Sequence, residues 1–501
     1  MAAVVAIDAG TTGVRAVAFD TESVATLASA YRELTQYFPR PGWVEHDPDE
    51  IWRQVSATLS EVATELAALG HEIAAIGVTN QRETVVAWDR ISGRSLANAI
   101  VWQDRRTAPR CDELRSRGLE PTVREVTGLV LDPYFSATKM AWLLSEGEVV
   151  ASPSLALGTV DSWVTWNLTG GAEGGSFATD PSNASRTMLY DIRSRGWSTE
   201  MCELFGIPRS ALPEVLPSSG RFGSTPAGVA GNLPSGVPIS GVAGDQAAAL
   251  FGQACFRPGS AKVTYGTGSF VLLNAGAHCP EPVEGVLTSV AYELSDGTVA
   301  YALEGAVFVT GAAIQWLRDG LGIIDEAAEI GPLAASVSSN EGVYMVPAFT
   351  GLGCPYWDPR ARATITGITR GTGRAHISRA VVESIAYQVR DALDAMRSGR
   401  GGLAGELRVD GGASVMDLLL QLQADQLQVP VRRSKVPEST ALGAAWLAGL
   451  AEGVWKDLDQ LESMWQGDEA VRPRLSPQAA DALHAGWLSA VERARNWATE
   501  D

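Results

Sequence analysis

Lysine is nearly missing from these 501 residues: only Lys139, Lys262, Lys435 and Lys456 occur, and none follows a glycine. The Gly-Lys-Ser/Thr loop that cradles phosphates in the commonest nucleotide hydrolases is therefore absent, and any nucleotide must be held another way. Positive charge as a whole is short, with 39 Lys and Arg against 58 Asp and Glu and a net charge of −19. Such a chain lacks the basic face that sustained contact with a nucleic-acid backbone requires. Cysteine is sparse and scattered: Cys111, Cys202, Cys255, Cys279 and Cys354 include no Cys-x-x-Cys pair. That spacing argues against a zinc site or a disulfide framework and for a reducing cytoplasm. The five histidines show no ligand spacing either. No apolar run is long enough to span a bilayer. The apolar start lacks a basic flank and meets Asp8 too soon for a secretory signal, so it reads as a buried first strand.

What the chain does have is length and 46% hydrophobic residues, enough for two or more domains. Two apolar runs, IDAGTTGVRAVAFD and KVTYGTGSFVLLN, each fold around a Gly/Thr turn, one in each half. A strand that stops at Gly-Thr and restarts at once aims several backbone N–H groups at one point. Gly10, Gly266 and Gly268 allow a phosphate to approach them closely. Two such hairpins facing each other across a cleft would hold a nucleotide between two domains.

The intervening pattern supports this layout. Ile51, Val55, Leu59, Val62, Leu66 and Leu69 recur at threes and fours and predict one buried helical face over residues 49–69. The strand IAAIGVTN then delivers Gln81, Arg82 and Glu83 at its carboxyl end, where open α/β sheets place ligands. Pro and Gly cluster over residues 216–238, which reads mostly as loop, followed by the strand PISGVAGDQ and the helix-like AAALFGQACF. A break at Arg257-Pro258-Gly259 divides the chain into domains spanning residues 1–254 and 255–501. Further helices are expected around residues 310–321, 416–426 and 440–452. Strand-rich starts followed by helices, twice over, predict two α/β domains of related topology flanking a cleft.

With these elements placed, the chain resembles the sugar-kinase branch of the actin-like ATPases, whose domains are ribonuclease H-like. Within that branch it is similar to the glycerol kinase family. The likeness runs in order through PGWVEHDPDEIW, GVTNQRET, AIVWQDRRT, LDPYFSATKMAWLL, DPSNASRTMLYDI, AGDQAAALFGQACF, YGTGSF, EGAVFVTGAAIQWLRD, VDGGAS and TALGAAWLAGLAEGVW. It implies ATP-dependent phosphorylation of glycerol with Mg²⁺, in a cytoplasmic enzyme that assembles as a dimer or tetramer.

The resemblance also assigns residues. Thr11, Thr12, Gly13 and Arg15 match the first phosphate motif, and Asp8 the Mg²⁺ position, shared with Asp245. Thr267 and Gly268 match the second motif; Gly311 and Gln315 match positions near ribose and phosphates; Gly411, Gly412 and Met416 match the adenosine turn. The family pattern has a glutamine and two serines where this chain has Ala9, Gly13 and Val14, and an asparagine where it has Met416. Arg82, Glu83, Trp102, Tyr134, Asp245, Gln246 and Phe270 match glycerol-contacting positions. That set of donors, acceptors and apolar covers suits a small triol. Asp245 is the expected catalytic base.

Each assignment has a plainer alternative. Arg82 and Glu83 equally suit a surface ion pair, Trp102 and Phe270 a core, and Asp245 a helix N-cap. At the level of function, the alternatives are another sugar kinase of the same family or a nucleotide-driven binding module of the actin and chaperone kind. Gly236 stands where some bacterial relatives carry an arginine for fructose 1,6-bisphosphate, and no histidine lies between His71 and His278. Neither familiar control is therefore expected.

Overall fold

Ala3 through Ile7 are wholly buried small or β-branched residues, and Ala2–Ala9 forms β1, a central strand of a six-stranded sheet. The computed structural model describes residues 1–398 and 402–498. After the Gly10–Thr12 turn, β2 (Gly13–Asp20) runs antiparallel to β1 and β3 (Thr26–Glu33) antiparallel to β2. On its other side β1 pairs in parallel with β4 (Glu72–Asn80). The edge strand β5 (Ser219–Ser224) pairs antiparallel with β6 (Pro238–Gly244), which lies parallel to β4.

The second sheet repeats this plan. It contains β7 (Ala261–Tyr265), β8 (Ser269–Gly276), β9 (Leu287–Glu293), β10 (Val299–Val307), β11 (Leu407–Asp410) and β12 (Val431–Arg433). Its order is β9-β10-β8-β7-β11-β12. As in the first sheet, the opening strand has its hairpin partner antiparallel on one side and a later strand parallel on the other.

Helix α1 (Pro48–Ala68) starts where Asp47 accepts the Asp49 N–H at 2.9 Å, with Pro48 in the first turn. Its expected apolar face is buried except for Leu69, which follows the last helical residue and is 51% exposed. The Pro/Gly-rich segment expected to be mostly loop contains β5. Gly220 and Gly223 are tolerated there because the strand is at a sheet edge and its register is irregular.

Helix α2 (Asp245–Gly252) begins at Asp245 itself, earlier than its apolar run suggests. Helices α3 (Gly311–Asp319), α4 (Asp417–Leu427) and α5 (Ser439–Ala451) lie close to the expected positions. Helices α2 and α5 cross in backbone contact. A Cβ on Gly443 would fall 1.8 Å from the Ala248 carbonyl oxygen, and one on Gly252 would fall 2.0 Å from that of Ser439. Helix α5 also packs on β4 and β6. The two halves of the chain are thus joined by a seam that any side chain at Gly443 would pry apart.

Candidate active site

Three parallel neighbours, β1, β4 and β6, end at one edge of the first sheet. That edge gathers Asp8 from β1, Gln81 to Glu83 from the turn after β4, and Asp245 from the start of α2. Glu83 adopts a φ of +61°, a left-handed conformation uncommon outside glycine and held here by its buried partners.

Arg82 and Glu83 are not a surface pair, for both are almost wholly buried. The Arg82 guanidinium donates to Glu304 on β10 in two bonds, 2.7 and 2.9 Å long. Its Nε lies 3.1 Å from Asp245 Oδ1. Glu83 instead receives a 2.6 Å bond from Arg186 Nε. Arg186 Nη2 sits 3.2 Å from Glu304 Oε1 as an ion pair, and neither Nη1 nor Nη2 has a hydrogen-bond partner among the described residues. Burial pushes the Glu304 carboxyl up, but Arg186 and Arg82 outweigh it and hold the group down at about 2. For Glu83 burial wins over the same two guanidiniums, and its carboxyl is raised.

Asp245 does not cap α2. Gly244 occupies that position, and Asp245 is the first helical residue. Its Oδ1 accepts the Gln246 N–H at 2.7 Å in addition to Arg82, which leaves Oδ2 without a partner among the described residues. The side chain is 31% exposed to the cleft. Gln246 is fixed by Lys262, whose Nζ donates to Gln246 Oε1 at 2.5 Å and to Thr264 at 2.8 Å. Burial lowers the Lys262 ammonium to about 8, against the pull of Asp410 and Asp245.

Aromatic rings close the pocket around these charges. Trp102 and Tyr134 meet edge to face with centroids 5.6 Å apart, and the Phe270 ring lies 6.0 Å from the Arg82 guanidinium carbon. The turn carrying Tyr134 is pinned by buried Lys139, which donates to the carbonyls of Pro133, Tyr134 and Phe135. Trp102 belongs to the pocket and not only to a core: its indole N–H donates to the Thr11 hydroxyl at 2.9 Å. Pocket and first hairpin therefore touch.

In that hairpin the Gly10 N–H donates to the Gly13 carbonyl at 3.0 Å, and in the second the Gly266 N–H donates to that of Gly268 at 2.8 Å. The intervening amides of Thr11, Thr12 and Thr267 are left without partners among the described residues. The second hairpin also receives α3. The N–H groups of Thr310, Gly311 and Ala312 donate to the carbonyls of Thr267 and Gly266, and a Cβ on Gly311 would lie 2.8 Å from the Gly266 oxygen. Gly311 thus allows the helix to seat on the hairpin, while Gln315 on the same helix is exposed. At the far end Gly411 has a φ of +86° and no room for a Cβ, which would meet the Tyr265 carbonyl at 2.5 Å. Gly412 is open to solvent, and Met416 is half-buried against Gly331.

Arg15 is not free in the first hairpin. Its guanidinium contacts Glu438, next to α5, and lies 5.2 Å over the Tyr31 ring. Asp8, its cross-strand partner, is raised to about 7 by burial first and by the charge of Asp245 second, with Arg15 pulling the other way. Two carboxylates whose charges are felt by each other, with Arg82 on one and Arg15 opposite the other, fit a divalent cation bound between them. The described residues hold no cluster of three or more ligating side chains, so such an ion would keep part of its water shell, as magnesium does.

Glu304, Arg186 and Lys262 were absent from the expected site. The available signal was a charged residue set within an apolar or small-residue stretch, as in YALEGAVF and AKVTYG.

The family model described as the FGGY family of carbohydrate kinases, N-terminal domain, matches residues 3–252, and its C-terminal counterpart matches residues 261–452. A glycerol kinase of Symbiobacterium thermophilum is 51% identical over 501 residues, covering 99% of each chain. Plasmodium falciparum glycerol kinase, solved with ADP, superposes with a TM-score of 0.92 at 34% identity over 99% of this chain and 98% of that one. A ligand-bound xylulose kinase from Lactobacillus acidophilus shares the fold, with a TM-score of 0.88 at 20% identity over 98% of both chains.

Proposed function

The chain belongs to the FGGY family of carbohydrate kinases, and on that premise we propose that it transfers the γ-phosphoryl group of ATP to glycerol, forming sn-glycerol 3-phosphate and ADP. The fold is the two-domain, actin-like ATPase type of that family. The observation that carries the reading is Asp245: one carboxylate oxygen is held by Arg82 and the Gln246 amide, and the other has no partner among the described residues on a side chain that is partly exposed. It has the freedom and the orientation of a group that accepts the proton of an attacking hydroxyl.

In this reading Arg82, Glu83, Tyr134 and Gln246 hydrogen-bond the hydroxyls of glycerol, while Trp102 and Phe270 cover its carbon edge. Thr11, Thr12, Gly13, Arg15, Thr267 and Gly268 bind the phosphates. Gly311, Gln315, Gly411, Gly412 and Met416 line the nucleoside end. Mg²⁺, when bound by Asp8 and Asp245, neutralises phosphate charge. Because phosphoryl transfer passes through a loose transition state, alignment by the two hairpins should matter more than the basicity of Asp245. The Trp102 bond to Thr11 ties the acceptor pocket to the phosphate clamp, so a change in one is felt in the other. In the same reading the enzyme works in the cytoplasm as a homo-oligomer, a dimer or tetramer, whose domains span residues 1–254 and 255–501.

The test is ADP release with glycerol, dihydroxyacetone, xylulose and gluconate, with the product identified by NMR. Release that depends on glycerol and yields glycerol 3-phosphate is expected. Preference for the pentose or gluconate, or slow hydrolysis indifferent to every polyol, overturns the reading.

A further inference from the structure

The first hairpin is poor in free side-chain donors: among the described residues only the exposed Thr12 hydroxyl has no hydrogen-bond partner. The Thr11 hydroxyl is taken up by Trp102 and Gln81, Gly13 supplies none, and Arg15 is engaged by Glu438. Strand register places another group on the same face: Asp8 pairs with Arg15 and Arg15 with Tyr31, so the three lie in one row across β1, β2 and β3. The Tyr31 ring lies under the Arg15 guanidinium, and its hydroxyl makes one long bond among the described residues, 3.3 Å to the Thr12 carbonyl. The residue is 41% exposed, and the bond to Thr12 sets its hydroxyl beside the hairpin turn.

Tyr31 reaches this position because of Gly13. A Cβ there would sit 2.5 Å from the Tyr31 hydroxyl oxygen and 2.6 Å from the ring, as well as 2.5 Å from the Arg32 carbonyl. Any side chain at residue 13 would displace the phenol. The gap at Gly13 and the tyrosine on the adjacent strand are thus two halves of one arrangement. A weakly bonded phenol beside unpartnered amides and a cation matches the needs of an anionic oxygen.

We propose that Tyr31 is a nucleotide-binding residue: its hydroxyl completes the first hairpin's donor set for the terminal phosphates, and its ring carries Arg15 toward them. The proposal rests on the kinase reading above but is tested apart from glycerol turnover. Calorimetric titrations of the full-length protein with MgADP, Mg²⁺ with a non-hydrolysable ATP analogue, and AMP are compared for wild type, Tyr31→Phe and Tyr31→Leu. Loss of one hydrogen bond to a charged oxygen predicts about tenfold weaker binding of the di- and triphosphate in Tyr31→Phe. AMP affinity and melting temperature should stay unchanged. Tyr31→Leu, which also removes the shelf under Arg15, should weaken the di- and triphosphate further. Wild-type affinity of Tyr31→Phe for all three ligands overturns the proposal, and so does an equal loss for AMP and ADP. Failure of the enzyme to phosphorylate glycerol would strike the kinase reading and leave these titrations interpretable.

Discussion

Glu304→Gln puts the buried charge cluster to its hardest test. The carboxylate is wholly buried, accepts two bonds from Arg82 and faces Arg186. Glutamine keeps its size but retains one acceptor, turns an N–H₂ toward a guanidinium, and leaves Arg82 and Arg186 with Glu83 as their one wholly buried carboxylate among the described residues. Removing one partner of a buried ion pair costs about 3–5 kcal/mol. At roughly 2–4 °C per kcal/mol for a domain of this size, the melting temperature should fall on the order of 10 °C. The sign with pH is also fixed. Glu304 is held down at about 2 in the fold against an ordinary 4.5, so its contribution is present above pH 4.5 and lost as the pH falls toward 2. The gap between wild type and variant should therefore stay level from pH 5.5 to 8 and narrow below 4.5. Arg82, freed from its two-bond anchor, should no longer hold Asp245 Oδ1, and the KM for glycerol should rise at least about tenfold at a temperature where the variant stays folded. Differential scanning fluorimetry across pH and a coupled ADP-release assay read both effects. A melting temperature within about 2 °C of wild type together with an unchanged glycerol KM would refute the reasoning, for it would mean that Glu83 and Asp245 suffice to orient Arg82.

Asp245→Asn keeps the side chain's shape and removes only its basicity and charge. Turnover at saturating glycerol should drop about 10²–10⁴-fold, while calorimetric glycerol affinity shifts far less; undiminished turnover removes Asp245 from the role of base. Asp8→Asn should abolish activity yet raise the melting temperature of the nucleotide-free, metal-free protein at pH 8. The Asp8 carboxyl is raised to about 7 in the fold from an ordinary 3.8, so the folded state binds the extra proton between those values and loses stability as the pH climbs through them. The variant's advantage should be constant above pH 7 and shrink toward pH 4; an Asp8→Asn protein no more stable than wild type at pH 8 would contradict the picture of a buried Asp8 carboxylate disfavoured by burial first and by the Asp245 charge second.

The elements legible in the chain were those encoded by neighbours in sequence. Helix α1 follows from apolar residues at threes and fours and an Asp-Pro start, and both hairpins follow from Gly/Thr between apolar runs. Leu69 and β5 went astray because local pattern cannot tell the last turn of a helix from the residue beyond it, nor an edge strand from a glycine-rich loop. The candidate site shows the same limit more sharply. That Arg82 and Glu83 end a strand is a local fact, whereas Arg82's main partner, Glu304, lies 222 positions away. Nothing periodic announces a lone carboxylate in a buried strand, yet that carboxylate decides whether Arg82 is a surface charge or the support of Asp245. Gly13 carries the argument one step further. In sequence it is a missing hydroxyl in a phosphate turn; only the pairing of β2 with β3, which sets Arg15 opposite Tyr31, turns the missing atoms into room for another residue's phenol. A departure at one position of a phosphate clamp is therefore not by itself a loss of binding, because the strand beside it can supply the group in a way that only the register reveals.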